Sequence, residues 1–492
     1  MSKEEINLPP IAGPFVQSLR SIGYSLDAAV ADLVDNSISA KCNEVHIRAL
    51  WRNSKPMLWM SDDGEGMSPD ELASAMQLGA VGPDAVRDKK DLGRFGLGLK
   101  TASFSQCKTL HVISRDSDQV EWCGLTWDLD FVAKTNKWSV LKLNTNDIES
   151  LISELDFSPN VGTHVIWEEF DQAVDATALN GEKDFNNNLA HLKDHLAITF
   201  HRFIRPRSEL DRIKIFFNGS EVKPRDPFAE FPVSDKDPSS VVEEDEIRLM
   251  TDVGETRVKI KSYVLPHPSL VSSEYKTRIN GEGTDYYSGQ GIYIYRAGRL
   301  ISYGSWLRIV RNAETNKLAR IQIDFENDAD GLWQIDVKKS RVNLPSSLKS
   351  KIREVIKRTT KKSSRTFNRR AQMSSFDSSP IWQRVYDKDN NAVAYKLNHE
   401  NDLVNALITG LNDEQKVLMK LVEKTIPVEL IKNDIAANEL TSEREVGNEV
   451  NMIVEKLMQC GFDKDVIKET LLGDSNLGLK KEMVDKLLKD MV

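Results

Sequence analysis

The sequence predicts an α+β protein built from several domains. Its 492 residues are too many for one ordinary hydrophobic core, so we expect three or four domains. Residues 1–200 alternate helical and strand patterns, which indicates a two-layered, largely antiparallel sheet covered by helices. After Pro345 the chain becomes basic and then mostly helical.

Composition and charge exclude several classes of protein. The apolar runs are only as long as strands, and the N-terminal stretch MSKEEINLPPIAGPF lacks the pattern of a signal peptide, so we expect a cytoplasmic protein without a membrane span. The 4 cysteines form no CxxC pair, which indicates a reducing compartment and argues against structural zinc. Because the net charge is −9, any contact with nucleic acid would need a local basic patch.

The first part of the chain contains an amphipathic helix at 25–40, for which Ser25 is the expected N-cap. A further helix is expected at 185–206, where Pro206 ends it. Strands are expected at 43–50, 55–62, 109–115, 120–129 and 162–170.

A second α/β segment follows, and beyond it lies the basic region. Strands are expected at 212–219, 246–251, 257–266, 290–302, 317–325 and 331–344. Residues 348–370 carry ten Lys or Arg and one acid, and residues 374–380 resemble a linker. The predicted domains are 1–204, 205–345, a basic helix and linker at 346–380, and a helical region at 381–492.

The stretch SDDGEGMSPDE (61–71) follows a predicted strand. A calcium loop is excluded, because an EF-hand loop lies between two helices and needs more oxygen ligands. A strand-to-helix turn and part of a nucleotide pocket both remain open.

Two other segments bear on this choice. In ADLVDNSISA (31–40), Asp32 and Asn36 share one helix face, where an acid and an amide can hold a cation and polarise a water; an ordinary polar face is the alternative. DLGRFGLGLKTAS (91–103) is a glycine-rich turn that enters a helix and could bring backbone N–H groups to phosphate oxygens. It is not a Walker A loop, because Leu99 separates the last glycine from Lys100.

Taken in this order, the acid-x-x-x-Asn helix, the DxGxG turn and the GxxGxGxK segment resemble the GHKL ATPase superfamily. This superfamily includes gyrase, heat-shock ninety chaperones, histidine kinases, MutL and MORC ATPases. GTHVIW (162–167) resembles the fourth element of these proteins, a strand whose threonine contacts the adenine region. The resemblance implies an N-terminal Bergerat-type α/β sandwich ATPase domain that uses ATP and Mg²⁺.

The resemblance also implies roles for individual residues. Asp62 would accept a hydrogen bond from the adenine amino group, Asn36 would hold Mg²⁺, and Asp32 would activate the attacking water. Asp32 stands where the family usually has glutamate, which is one methylene longer, so slow hydrolysis is expected. The full set of implied ATP-binding residues is Asn36, Ala40, Asp62, Gly64, Gly66, Met67, Gly93, Gly96, Gly98, Lys100, Thr101 and Thr163.

The order of domains resembles the gyrase–MutL–MORC–chaperone branch. There a second domain, the transducer, sends a basic residue to the γ-phosphate, and WQIDVKKSRV (333–342) offers Lys338 and Lys339. Because neighbouring strand residues point to opposite faces, one of the two is expected to reach the site. The sequence of residues 10–345 looks most similar to those of prokaryotic MORC-like ATPases, which are associated with restriction and anti-phage systems.

The basic helix is the candidate DNA-binding element, although a merely solvated helix is the alternative. Phosphate contacts without base readout are expected from Lys357, Arg358, Lys361, Lys362, Arg365, Arg369 and Arg370. The sequence therefore predicts an ATP-dependent dimeric clamp that acts on DNA in a bacterial defence or DNA-transaction system. The alternatives are a chaperone-like ATPase that clamps protein clients and an ATP-binding scaffold that does not hydrolyse.

Overall fold

A computed structural model describes most of the chain, and it forms two compact units, residues 1–364 and residues 365–492. The described residues are 8, 10–21, 23–52, 55–79, 92, 98–172, 180–206, 210, 212–230, 241–251, 254–281, 285–310, 316–333, 344–373, 381–387, 392–424, 454, 458, 463–465 and 467–468.

The first unit opens with a large sheet and the helices that cover it. Its elements are α1 (Ala12–Arg20), α2 (Leu26–Ser39), β1 (Glu44–Arg52), β2 (Lys55–Asp62), α3 (Pro69–Met76), α4 (Gly98–Phe104), β3 (Cys107–Arg115), β4 (Cys123–Asp128), α5 (Leu129–Thr135), β5 (Leu141–Lys142), α6 (Thr145–Ser153), β6 (Gly162–Phe170), α7 (Gly181–Thr199), α8 (His201–Ile204), β7 (Lys214–Phe217) and β8 (Ser220–Glu221).

This first sheet has 8 strands in the order β5-β4-β3-β6-β2-β1-β7-β8. Neighbouring strands are antiparallel except β1 and β7, which run parallel with Val45 opposite Ile215. β2 lies between β1 and β6, so the end of β2 is held on both sides. The α+β class and the largely antiparallel sheet are confirmed.

One hydrophobic core joins this sheet to α1, α2, α4 and α7. Leu58 and Met60 of β2 belong to this core, whereas Trp59 packs in a smaller cluster with Ile148 of α6, as the two-residue period of a strand requires. The side chain of Ser25 accepts a hydrogen bond from Ala28 N, so the predicted N-cap of α2 is confirmed.

A second sheet follows in the same unit. Its elements and the helices around it are β9 (Val241–Thr251), β10 (Gly254–Val264), α9 (Ser273–Asn280), β11 (Gly291–Arg296), β12 (Arg299–Ser305), β13 (Ala319–Phe325), α10 (Asp330–Trp333) and α11 (Ser346–Met373). The 5 strands have the order β12-β11-β13-β10-β9. The basic segment forms α11, and its apolar residues Leu348, Ile352, Val355 and Ile356 share a core with the sheet.

The second unit contains the antiparallel hairpin β14 (Trp382–Asp387) and β15 (Ala392–Leu397), followed by α12 (Asp402–Gly410) and α13 (Asp413–Lys424). The helical prediction is confirmed for these two helices, but it missed the hairpin. Among the helices in the described part of the chain, none is long and apolar enough to cross a membrane.

The pairing of strands in the structure corrects two of the strand predictions. The strand predicted at 212–219 was assigned to the second domain, yet β7 pairs with β1 in the first sheet, so the predicted boundary at 204 precedes the last strands of that sheet. Residues 290–302 form a hairpin rather than one strand, because the chain turns at Ala297 and Gly298 and pairs Arg296 with Arg299.

The strand predicted at 331–344 is wrong at its start. Residues 330–333 form the helical turn α10, in which Trp333 stacks on Phe325 with ring centroids 4.3 Å apart and an interplanar angle of 7°. Trp333 is completely buried in this stack, within the core of the second sheet. Residues 334–343 lie outside the described part of the chain.

Candidate nucleotide-binding site

Asp62 ends β2 as a buried carboxylate with a fixed orientation. The Ser37 hydroxyl of α2 donates to Oδ2 at 2.7 Å, and Gly64 N donates to Oδ1 at 3.0 Å. Burial raises the pKa of Asp62 to about 6, although these two hydrogen bonds act in the opposite direction. A buried acceptor held in this way can read an amino group, as the adenine role requires.

The two glycines after Asp62 are required by close packing. A Cβ on Gly64 would lie 2.8 Å from both the Cβ and the carbonyl oxygen of Ala40, and Glu65 N also donates to that oxygen at 2.9 Å. Gly66 has φ +71, and a Cβ there would overlap the carbonyl of Arg115. The turn after β2 is therefore packed against the C-terminal end of α2. Met67, the next residue of the chain, is half-buried.

On α2, Asp32 and Asn36 lie one turn apart, as predicted. Asp32 is buried, and the Tyr24 hydroxyl donates to its Oδ2 at 3.2 Å. Asn36 is exposed, so its amide oxygen is accessible to a ligand from solvent.

Arg299 is the functional candidate that the sequence did not reveal. It lies at the start of β12 in the second sheet, yet its Nε is 2.9 Å from Asp35 Oδ2 and its Nη2 is 3.8 Å from Asp32 Oδ1. Arg299 and Asp35 are 264 residues apart in sequence, and no spacing rule could have joined them.

The end of the glycine-rich segment begins α4 at Gly98, as predicted. A Cβ on Gly98 would lie 3.8 Å from Asp32 Oδ2, so Gly98 is a neighbour of Asp32, the predicted general base. Lys100 is buried and donates from Nζ to Ala75 O at the end of α3 at 2.8 Å; burial lowers its pKa to about 8. Thr101 is also buried. For both residues, the phosphate-binding role stays a prediction.

Thr163 lies on β6 directly opposite Asp62 of β2. Its Oγ1 is 2.8 Å from Ser114 Oγ of β3, so the three strands β2, β6 and β3 are linked at this edge by side chains as well as by the sheet. The structure thus brings together Asp62, Thr163 and, through Ser37, the helix that carries Asp32 and Asn36.

Other predicted residues lie outside the described part of the chain. These are Gly93 and Gly96 of the glycine-rich segment and Lys338 and Lys339 of the predicted transducer. Within the described residues, no group of three or more His, Cys, Asp or Glu side chains could hold a metal ion. Mg²⁺ usually keeps several waters and takes phosphate oxygens, and the role of Asn36 as its protein ligand stays a prediction.

The predicted DNA-binding residues of α11 do not share one environment. Arg358 is 2.5 Å from Asp245 of β9, and Lys362 pairs with Glu243 of the same strand. Lys357 and Lys361 are exposed, and neither forms a salt bridge with a described residue. Arg365, Arg369 and Arg370 lie on the helix, and their side chains are outside the described part.

The comparisons with known proteins agree with this geometry. Residues 24–163 match the family described as histidine kinase-, DNA gyrase B-, and HSP90-like ATPase, a range that runs from Tyr24 to Thr163. The chain is also 32% identical over 88 residues to ATPase morc-1 of Caenorhabditis elegans, a match that covers 18% of this chain and 10% of that relative. The N-terminal part of the chain therefore carries a GHKL-type ATPase domain and is similar to MORC ATPases.

Proposed function

We propose that this protein binds ATP with Mg²⁺ and hydrolyses it slowly, and that nucleotide binding closes a homodimer on DNA. The observation that carries the proposal is the convergence of Asp62, Asp32 and the start of α4. Asp62 is bonded to Ser37 of α2, while Gly98 adjoins Asp32 on the same helix. Asp62 of β2, the proposed adenine reader, is thus linked through Ser37 to the helix that carries Asp32, the proposed water activator.

In the proposed reaction Asp62 accepts a hydrogen bond from the adenine amino group, and Asp32 accepts a proton from the water that attacks the γ-phosphorus. The bond between the γ-phosphorus and the β–γ bridging oxygen breaks, which gives ADP and phosphate. Mg²⁺, when bound beside Asn36, would neutralise phosphate charge. Tyr24 orients the Asp32 carboxylate through its hydroxyl.

Support for DNA as the clamped object comes from the exposed face of α11. Lys349, Arg353, Lys357 and Lys361 are all exposed and follow one another at intervals of four residues; we call them the basic stripe. Successive members are about 6 Å apart along the helix axis. Such a row suits phosphate contacts along a duplex. The defence or DNA-transaction role is proposed from the resemblance of the sequence motifs to prokaryotic MORC-like ATPases.

The test is ATP hydrolysis by the full chain with Mg²⁺, with and without duplex DNA. We expect slow turnover that DNA stimulates several-fold. Turnover stimulated by unfolded protein instead of DNA would favour the chaperone-like alternative. ATP binding without measurable turnover would favour the scaffold, and no ATP binding would refute the proposal.

The basic stripe gives a separate prediction for DNA affinity. Glutamine at all four stripe positions is expected to weaken duplex binding more than tenfold at 50–100 mM salt. The slope of log affinity against log salt should fall by up to about 3–4, because each phosphate contact contributes about 0.9. Fluorescence anisotropy over a salt series measures both quantities.

Arg358 and Lys362 provide the matched control on the same helix. Both are held by acids of β9. Their replacement by glutamine should loosen the packing of α11 on the sheet and change the salt slope less, per charge removed, than the stripe variant does. Equal slopes for wild type and stripe variant would mean that α11 is structural.

A further inference from the structure

Two buried arginines flank the turn of the β11–β12 hairpin, which we call the arginine hairpin. Arg296 ends β11 and Arg299 begins β12, and their exposed fractions are 3% and 4%. Burying a guanidinium is costly unless it is paired and hydrogen-bonded. Each arginine meets this requirement partly by reaching the domain that carries the nucleotide site.

Arg299 reaches the predicted catalytic helix. Its Nε donates to Asp35 Oδ1 at 3.0 Å, and its Nη1 donates to the carbonyl of Leu300 at 3.2 Å, so two sides of the guanidinium are anchored. Nη2 is then left 3.8 Å from Asp32 Oδ1, which is beyond a hydrogen bond but close enough for a strong charge interaction where water is excluded.

Arg296 reaches Leu92 in the glycine-rich segment 91–103. Its Nε and Nη2 donate to the two carboxylate oxygens of Asp330 at 2.7 and 2.8 Å, which fixes the plane of the guanidinium. The remaining Nη1 donates to the carbonyl of Leu92 at 3.2 Å. Leu92 lies in the glycine-rich segment 91–103 and is buried. One hairpin of the second sheet therefore contacts both α2, which carries Asp32, and Leu92.

We propose that Arg299 is a positioning residue that orients the Asp32 carboxylate. Hydrolysis then depends on how the second sheet packs against α2. The inference rests on the proposed ATPase function. Aspartate is one methylene shorter than the usual glutamate, so its placement relative to the attacking water has little tolerance. Tyr24 fixes one carboxylate oxygen through a hydrogen bond, and Arg299 acts on the other through charge. Asp35 holds Arg299 at this distance.

This role makes Arg299 different from a γ-phosphate sensor. A sensor would bind nucleotide directly, so its loss would weaken ATP binding and turnover together. A residue that acts through Asp32 should lower kcat while leaving ATP affinity nearly unchanged. The deciding measurement is therefore whether loss of Arg299 lowers kcat while ATP affinity stays nearly unchanged.

The experiment compares Arg299→Met and Arg299→Lys with wild type in steady-state hydrolysis and in ATP-binding titrations. We expect Arg299→Met to lower kcat at least tenfold with a change in ATP affinity below threefold. Arg299→Lys should recover part of kcat, because an ammonium keeps the charge but cannot hold Asp35 and face Asp32 in the same fork geometry. Asp35→Asn, which releases the anchor, should also lower kcat.

Arg202→Met is the matched control. Arg202 of α8 pairs with Asp324 of β13 and lies over the ring of Tyr295, so its loss also removes a largely buried arginine that contacts the second sheet, and its contacts among the described residues do not include α2. It should lower thermal stability and preserve kcat. If Arg299→Met is too unstable to assay, Asp35→Asn and Arg299→Lys decide the question in the same way.

Hydrogen exchange of α2 amides gives a readout that needs no nucleotide. Exchange around residues 32–36 should rise in Arg299→Met and stay unchanged in Arg202→Met. If wild type hydrolyses ATP and folded Arg299 variants have the same kcat as wild type, this inference fails while the proposed ATPase function stands. A wild type that binds ATP but shows no turnover would overturn the proposed hydrolysis and this inference together.

Discussion

Asp32→Asn is expected to lower kcat for ATP hydrolysis by about 10²–10⁴-fold, because an amide cannot accept the proton of the attacking water. Asparagine has the shape of aspartate and can still accept the Tyr24 hydroxyl at the position where Oδ2 lies now. ATP affinity should therefore stay within a few-fold of wild type. Phosphate release under saturating ATP measures the first quantity, and calorimetric titration measures the second.

Asp27→Asn is the control for this change. Asp27 lies in the first turn of the same helix and is only partly buried, so the same chemical change is made away from the site. Its kcat should match wild type. If Asp32→Asn kept wild-type turnover, Asp32 would not be the base and another group would have to be sought.

Asp62→Asn is expected to reduce ATP affinity by about 10- to 100-fold, since a hydrogen bond to a charged acceptor contributes roughly 1.5–3 kcal/mol. The asparagine can keep both present contacts, because its oxygen can accept from Gly64 N and its amide can donate to Ser37 Oγ. The affected group should be the adenine amino donor. Titration with ATP at pH 7.5 measures the loss.

The same substitution should stabilise the ligand-free protein at neutral pH. Burial raises the pKa of Asp62 from 3.8 to about 6, so this carboxyl favours folding below pH 4, and that contribution is lost as pH rises through 6. At about 1.4 kcal/mol per pKa unit, the change corresponds to at most about 3 kcal/mol. Asparagine does not titrate, so its advantage should be largest at pH 7.5 and shrink towards pH 4.

Glu65→Gln tests whether charge removal alone explains these effects. Glu65 is exposed in the same turn and pairs with Lys41, so its loss should change neither ATP affinity nor stability by much. An Asp62→Asn protein that bound ATP like wild type would remove Asp62 from adenine recognition. A destabilised variant would contradict the pH argument but not the binding argument.

The features predicted correctly from sequence are those set by local chemistry. The serine cap and apolar face of α2 depend on residues within a few positions, and the strand before Asp62 shows its pattern in eight consecutive residues. The i,i+4 pairing of Asp32 and Asn36 follows from helix geometry alone.

The features that were missed depend on long-range packing. Arg299 meets Asp35 across 264 residues, and no local pattern distinguishes it from a surface arginine at a strand end. The pattern of residues 290–302 predicts a continuous strand, because Ala297–Gly298 lacks the Asn-Gly or Asp-Gly signal typical of tight hairpins. The buried position of Lys100 likewise depends on where α3 ends, which the glycine-rich motif does not specify.

The parallel pairing of β7 with β1 bears on how the first domain could be studied in isolation. A fragment that stopped at the predicted boundary of 204 would lack β7 and β8, and the backbone N–H and C=O groups of β1 would be exposed along that edge. An unpaired edge is a template for intermolecular strand addition, so such a fragment would tend to aggregate regardless of its catalytic competence. A fragment that extended past Glu221 would keep this edge closed by the chain's own strand.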